Sequence, residues 1–428
     1  MGIVSGEYRF VGNDRGDKLF YIDRGRIMRT LDTKNFSVPG YKAWGISSGI
    51  KKNEKKDLAV IYSDREAAVA GIFTKNKVKA APVLLDMAKI KSGRGQVIVA
   101  NSGCANACTG KRGLADARAT AEAAARELNV KPDVVLVAST GVIGEFLPMT
   151  KVTTGIATAV GLLSTNGWEQ ATDAIMTTDI YPKLSIVQEE IGGKTVTVGG
   201  IAKGSGMIHP NMATMLCFIV TDASLPAPLL KKALVASTEQ SFHSITVDGE
   251  TSTNDMVLCM ANGAAGHKKI AAGSKELKKF QACLDLVTRT LAKQIVRDGE
   301  GATKFVEIEV RNSKNPDEAK RAAMAVAKSS LVKTALFGED ANWGRIMAAL
   351  GYSGIDFDES RTDISIGKAK LVEKGLGMGK AADREASLAL KQREIQIVID
   401  LHKGKGNAVV WTCDLSYEYV KINAAYRS

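Results

Sequence analysis

Aromatic residues are scarce in this chain of 428 residues, at 6% of positions, and no stretch approaches the ~18–20 consecutive apolar residues that span a membrane. The first shortage argues against a surface that stacks single-stranded nucleic acid, and the second excludes a membrane helix. Histidine occurs only at 209, 243, 267 and 402 and never in a cluster, so no metal site is expected. The cysteines at 104, 108, 217, 259, 283 and 413 lack paired spacing. Cys104 and Cys108 form a single C-x3-C with no second pair, which points to buried, reduced thiols rather than zinc ligands. The N-terminus has no apolar core of a secretion signal. Arg9, Arg15, Arg24, Arg26 and Arg29 alternate with Glu7, Asp14, Asp17, Asp23 and Asp32, unlike an acid-poor transit peptide, so a cytoplasmic protein is expected.

With 45% hydrophobic and 24% charged residues, the chain has the composition of a soluble globular protein with two or three domains' worth of core. Its net charge of +12 is spread through mixed-sign segments such as Lys275–Lys279 and Pro316–Lys320. Without a basic stripe interleaved with aromatics, a nucleic-acid partner is not expected, although a general positive field would attract acidic metabolites.

Hydrophobic patterning predicts alternating strands and helices, a mixed-sheet, layered α/β fold. Strands are expected at 96–103, 134–138, 184–187, 195–198, 215–220, 305–310, 394–399 and 408–413. Helices are expected at 114–128, 151–163, 167–176, 227–241, 275–296, 316–336 and 343–350. Gly193-Lys194-Thr195 ends like a phosphate loop, but Gln188 stands where that loop needs glycine, so Gly192-Gly193 is read as a hairpin turn. Gly375-Leu-Gly-Met-Gly379 lacks the third glycine spacing of a dinucleotide site, and no cofactor is expected.

Two segments carry chemistry. In Lys203-Gly-Ser-Gly-Met-Ile-His-Pro-Asn-Met-Ala-Thr214, a glycine-rich loop leads to a threonine at the foot of the apolar run Met215–Val220. Gly204 and Gly206 suit a strained turn or a close backbone approach. A threonine hydroxyl needs a base, and cleavage of the bond before it would free its own α-amine, with a pKa near ~8, for that role. The second segment, Ala138-Ser-Thr-Gly-Val-Ile-Gly144, is a small-residue turn at a strand's carboxyl end, suited to present N–H groups and a hydroxyl to a developing negative charge.

Together with Val38–Gly45, Lys77–Val83, Asn101–Gly103, Ala105–Gly110, Met176–Asp179, Asp248–Asp255, Asp298–Lys304, Asn342–Arg345 and Lys421–Ser428, these segments resemble, in order, the ornithine acetyltransferase (glutamate N-acetyltransferase) family of arginine biosynthesis. The resemblance runs from about Val38 to Ser428. Cys104 stands where asparagine is expected, Ala425 where an acid is common, and residues 1–37 have no counterpart.

The resemblance implies self-cleavage between Ala213 and Thr214 into fragments 38–213 and 214–428 that share one intertwined core, with 1–37 as an extension of unassigned role. It implies Thr214 as nucleophile, Thr140 and Gly141 as oxyanion hole, and Thr177, Lys203, Thr214, Glu300, Asn423 and Ser428 around the substrate. Thr178 offers the same hydroxyl as Thr177 one residue on. The implied reaction carries acetyl from N-acetylornithine to glutamate, with acetyl-coenzyme A as a further donor left open, in an assembly of two N-terminal and two C-terminal fragments. Competing readings are an amidohydrolase or aminopeptidase using the same threonine, and an uncleaved binding protein.

Overall fold

The computed structural model describes residues 7–11, 18–23, 26–209 and 215–425. Ala213, Thr214 and Ser428, to which the resemblance assigns roles, lie outside the described residues. The chain falls into two compact units, one drawn from Met1–Gly204, Asn211–Phe242 and Thr251–Leu291, the other from Ser205–Pro210, His243–Glu250 and Ala292–Ser428.

The first unit is built on one mixed sheet. Its strands are β1 (Glu7–Val11), β2 (Lys18–Asp23), β3 (Arg26–Thr30), β4 (Tyr41–Ile46), β5 (Leu58–Phe73), β6 (Arg94–Cys104), β7 (Val135–Val142), β8 (Lys183–Ile191), β9 (Lys194–Lys203), β10 (Leu216–Thr221) and β11 (Met256–Ala261). Their order is β1-β2-β3-β8-β9-β10-β11-β5-β6-β7, with β4 beside β5. The pairs β6/β7 and β10/β11 are parallel, and every other pair among the described strands of this sheet is antiparallel. All six residues of β10 and of β11 are buried, which is why Leu216–Thr221 reads as an unbroken apolar run rather than an alternation. Strands from both sides of position 213 therefore share this sheet. The hairpin read at Gly192-Gly193 joins β8 to β9, and both glycines have positive φ, 60° and 73°, the geometry that matches strand twist in a two-residue turn.

Helix Gly110–Leu128 covers its buried face with Ala117, Ala121 and Ala124, at the three- and four-residue spacing of one helix side, and ends at Asn129 with φ 53°. The expected helices at 151–163 and 167–176 are Met149–Gly161 and Trp168–Ile175, and Trp168 packs its buried indole 4.7 Å from the Phe36 ring.

The second unit has its own sheet and its own core, a division the sequence reading of one intertwined core did not separate. Its strands, β12 (Phe305–Ser313), β13 (Asp363–Ile366), β14 (Ala369–Glu373), β15 (Leu376–Gly377), β16 (Glu394–Asp400) and β17 (Gly406–Cys413), run in the order β15-β14-β13-β16-β12-β17. The single helix expected at 316–336 is two, Pro316–Lys328 and Ser330–Phe337. Ser329 leaves helical geometry at ψ 111° and its hydroxyl accepts from Val332 N at 3.3 Å, capping the second helix. Five cysteines are buried as expected, but Cys108 is exposed, on a left-handed residue with φ 59°. Among the described residues no helix is long and apolar enough to cross a membrane.

Candidate active site

In the first unit, the carboxyl ends of parallel β6 and β7 lie side by side, pairing Ser102 with Thr140 and Gly103 with Gly141. Gly141 has φ 131°, and a Cβ there would sit 2.4 Å from the Gly103 carbonyl carbon and 2.6 Å from Cys104 N. Only glycine permits that backbone approach. Thr140 is buried, and the Ser139 hydroxyl just before it donates to Asn101 Oδ1 at 2.6 Å. The segment expected to be a turn is thus paired backbone through Val142, held in place on its β6 side.

Lys203 ends β9 and pairs with Leu216, the first residue of β10. It is not a solvated loop lysine: it is 2% exposed, and its ammonium donates to Thr177 Oγ1 at 2.8 Å and to Thr140 Oγ1 at 3.4 Å. The Thr177 hydroxyl, one of the two neighbouring hydroxyls the sequence offered, meets Lys203. Asp179 organises this group. Its Oδ1 lies 2.7 Å from Lys183 Nζ and accepts from Gly204 N at 2.7 Å, while its Oδ2 accepts from Thr177 N at 3.0 Å and lies 3.9 Å from Lys203 Nζ. Burial alone would raise the Asp179 carboxyl, but the Lys203 and Lys183 ammoniums and the Gly204 N–H outweigh it and hold the group well below the usual carboxylate range. Lys51 Nζ donates to Met176 O at 2.7 Å, and burial brings that lysine down to about 8.

The structure therefore brings Thr140, Gly141, Thr177 and Lys203 together. Chemically, a hydroxyl that accepts from an ammonium keeps its own hydrogen for another acceptor, and a buried cation beside it favours negative charge there.

Glu300 and Asn423 meet in the second unit. Asn423 Nδ2 donates to Glu300 Oε2 at 2.8 Å, and Glu300 N donates to Ser205 O at 2.9 Å. Glu300 is buried at 8% exposure rather than standing in water at a helix end. Gly206 makes room for it: a Cβ at 206 would lie 2.3 Å from the Glu300 carboxyl. Asp248 accepts from Met207 N at 2.6 Å, Ile208 N at 2.9 Å and the Tyr419 hydroxyl at 3.2 Å, tying Met207 and Ile208 to helix Tyr417–Ala424. His209 is pushed down to about 4 by burial and by Lys328, so it is neutral at physiological pH.

Asp179, Lys183, Asp248 and Asp255 were not singled out from the sequence. Their signal was present in the quoted segments: Asp179 closes Met176–Asp179, and Asp248 and Asp255 bracket a polar stretch directly before the wholly apolar β11. An acid at such a place must find partners when the strand is buried.

The sequence matches the ArgJ family over residues 42–428. It is 50% identical over 393 residues to the arginine biosynthesis bifunctional protein ArgJ of Symbiobacterium thermophilum, covering 91% of this chain and 97% of that protein. The protein of the same name from Caldanaerobacter subterraneus subsp. tengcongensis is 50% identical over 404 residues, 94% of this chain and all of its own length (100%). Among solved structures, the ornithine acetyltransferase of Mycobacterium tuberculosis complexed with ornithine aligns at 40% identity and a TM-score of 0.40, over 43% of this chain and 98% of that one.

Proposed function

This chain belongs to the ArgJ family, and from that premise we propose that its acetyl transfer runs through an ester on Thr214, formed after the chain cuts itself between Ala213 and Thr214. It is an acetyltransferase of arginine biosynthesis, acting as ornithine acetyltransferase and glutamate N-acetyltransferase.

In the first stage the Thr214 hydroxyl attacks the Ala213 carbonyl carbon. The C–N bond breaks as an N-to-O shift leaves an ester and frees the Thr214 amine, and water then releases Ala213 as a carboxylate. In the second stage that amine takes the hydroxyl proton while the oxygen attacks the acetyl carbonyl of N-acetylornithine. The tetrahedral oxyanion is held by the Thr140 hydroxyl and the Gly141 N–H, and the proton passes to the departing ornithine amine. The glutamate amine attacks the acetyl ester by the reverse path, so one α-amino acid site serves donor and acceptor in turn. The route uses no cofactor.

The observation that carries this reading is the donation from Lys203 to the Thr140 hydroxyl, a buried cation set against the residue assigned to the oxyanion. The strand pairing of Lys203 with Leu216 supports it, because it fixes the point from which the chain returns two residues after Thr214. For Lys203, Thr177, Glu300, Asn423 and Ser428 we propose substrate contacts. The hydrogen bond from exposed Asn423 to buried Glu300 supports two of them, with Glu300 as partner for the second ammonium of ornithine. The word bifunctional in the relatives' names supports acetyl-coenzyme A as a second source of the acetyl group. We propose that it works in the cytoplasm, and an assembly of two N-terminal and two C-terminal fragments is inferred from the family resemblance.

Initial-rate kinetics with N-acetylornithine and glutamate test the route. Parallel double-reciprocal lines and glutamate-dependent release of N-acetylglutamate are expected. Intersecting lines would rule out a covalent acetyl intermediate, and acetate release unaffected by glutamate would identify a hydrolase instead.

A further inference from the structure

The loop that enters β11 contains two consecutive polar residues that the proposed chemistry does not use. Asn254 is 4% exposed and Asp255 is 0% exposed. The Asn254 amide donates twice, to Ala105 O at 2.6 Å and to Ser139 O at 2.8 Å, and its oxygen accepts from the Thr253 hydroxyl at 2.6 Å. Ser139 O belongs to the peptide group that supplies Thr140 N, so Asn254 grips the segment immediately before the oxyanion residues.

Asp255 grips the other participant. Its Oδ1 accepts from Met215 N at 2.9 Å, and the next residue donates from Met256 N to Met215 O at 3.2 Å. Met215 directly follows Thr214 and is held on both of its backbone polar groups. The carboxylate continues the β10/β11 ladder, which starts at Leu216 and Met256, one rung toward Thr214. The backbone of Asp255 is fixed in turn, its carbonyl accepting from Thr74 N at 3.0 Å.

We propose that Asn254 and Asp255 are positioning residues for both stages of the reaction, joining the oxyanion segment and the strand that follows the nucleophile to one rigid two-residue point. Adjacent Cα atoms are held ~3.8 Å apart across a trans peptide, so covalent geometry sets the spacing of the points from which the two side-chain grips spring. Burial pushes the Asp255 carboxyl well above its usual range, against the opposing pull of the Met215 N–H and Lys203.

This inference rests on the roles proposed for Thr214, Thr140 and Gly141. Its test compares Asn254→Ala, Asp255→Ala and Asp255→Asn with the unmodified chain, reading self-cleavage by intact mass, kcat and KM for N-acetylornithine, and folding by circular dichroism. Loss of positioning by about an ångström costs on the order of 100-fold. Asp255→Ala is therefore expected to slow cleavage and kcat by about 10- to 100-fold, with KM changed less than about threefold. Asp255→Asn, whose amide oxygen still accepts from Met215 N, recovers most of that loss. Asn254→Ala lowers kcat on the same scale and leaves KM in place. Wild-type cleavage and kcat in folded Asp255→Ala would overturn the proposal. If Asp255→Ala does not fold, Asp255→Asn decides: a folded variant at least tenfold slower shows that acceptance from Met215 N is not the role. An unmodified chain that neither cleaves nor transfers acetyl would instead refute the reading on which this one rests.

Discussion

Replacing Asp179 by asparagine removes a buried negative charge that Lys183 and Lys203 share. All three side chains are at most 2% exposed. Asparagine keeps one acceptor oxygen but turns the other position into a donor. With its oxygen toward Lys183 and Gly204, its NH2 faces Thr177 N; reversed, it faces Gly204 N and the Lys183 ammonium, both at 2.7 Å in the native arrangement. Removing one partner of a buried ion pair costs about 3–5 kcal/mol, and that is the expected loss for Asp179→Asn. Urea unfolding measures it best in a Thr214→Ala background, where a single covalent chain keeps fragment association out of the equilibrium. Combining Asp179→Asn with Lys183→Met should restore about 1–3 kcal/mol relative to the sum of the single changes, because a neutral pair replaces an uncompensated cation. The pH dependence has a definite sign. The native carboxyl is depressed, so its contribution is full above the ordinary value of ~3.9 and disappears as pH falls further. Wild type and Asp179→Asn should differ most at pH 7, and the difference should start to shrink only below about pH 4, closing progressively as pH falls toward the depressed native value. A loss under about 1 kcal/mol, or strict additivity with Lys183→Met, would refute this account of the cluster.

Gly141→Ala places a methyl 2.4 Å from a backbone carbon at a φ of 131°, so β6 and β7 must separate at their ends. A soluble variant with less than about a tenfold loss of kcat would contradict the close approach described for that turn. Gly206→Ala is different, since the clash is with the movable carboxyl of Glu300. Stability should change little, while KM for N-acetylornithine rises about 10-fold or more as a charge-assisted contact is lost, and an unchanged KM would argue against a substrate role for Glu300. Asp222 is raised to about 6, by burial foremost, against the Thr197 N–H and His267. A raised carboxyl favours folding below its unfolded value and loses that contribution as pH climbs, so relative to Asp222→Asn the native protein should lose up to about 3 kcal/mol between pH 4 and 7. Parallel urea midpoints for the two proteins across that range would show the shift to be absent.

Much of the first sheet was legible because its central strands are unambiguous: Leu216–Thr221 is apolar on both faces, and Gly192-Gly193 marks its hairpin. β5, by contrast, was missed. Its register shifts between Tyr62 and Ala67, and the polar run Ser63-Asp-Arg-Glu66 interrupts the strand pattern just where the chain leaves the ladder. The strands within residues 1–37 were missed for a related reason, since alternating charges hid the pairing that joins β3 to β8 through Arg29 and Thr30. At the site, Thr140 and Gly141 were read from the resemblance, on a small-residue segment suited to present N–H groups at a strand's end. Asp179 and Asp255 stood in segments that mark them as acids in need of partners, but two of those partners, Lys203 and Met215, lie 24 and 40 residues away in the chain and only the folded sheet brings them near. Lys203 was read from the resemblance as a substrate cation, while its burial between two threonines and an aspartate emerged from the register of β9 and β10.

The central claim is that one hydroxyl, on Thr214, serves first to cut the chain and then to carry acetyl. Intact mass spectrometry of the purified protein, before and after incubation with N-acetylornithine, tests both halves at once. Two species ending at Ala213 and beginning at Thr214 are predicted, with an acetyl group added only to the latter and removed by glutamate. A single full-length mass that persists on storage, or an acetyl group on any other residue, would contradict it.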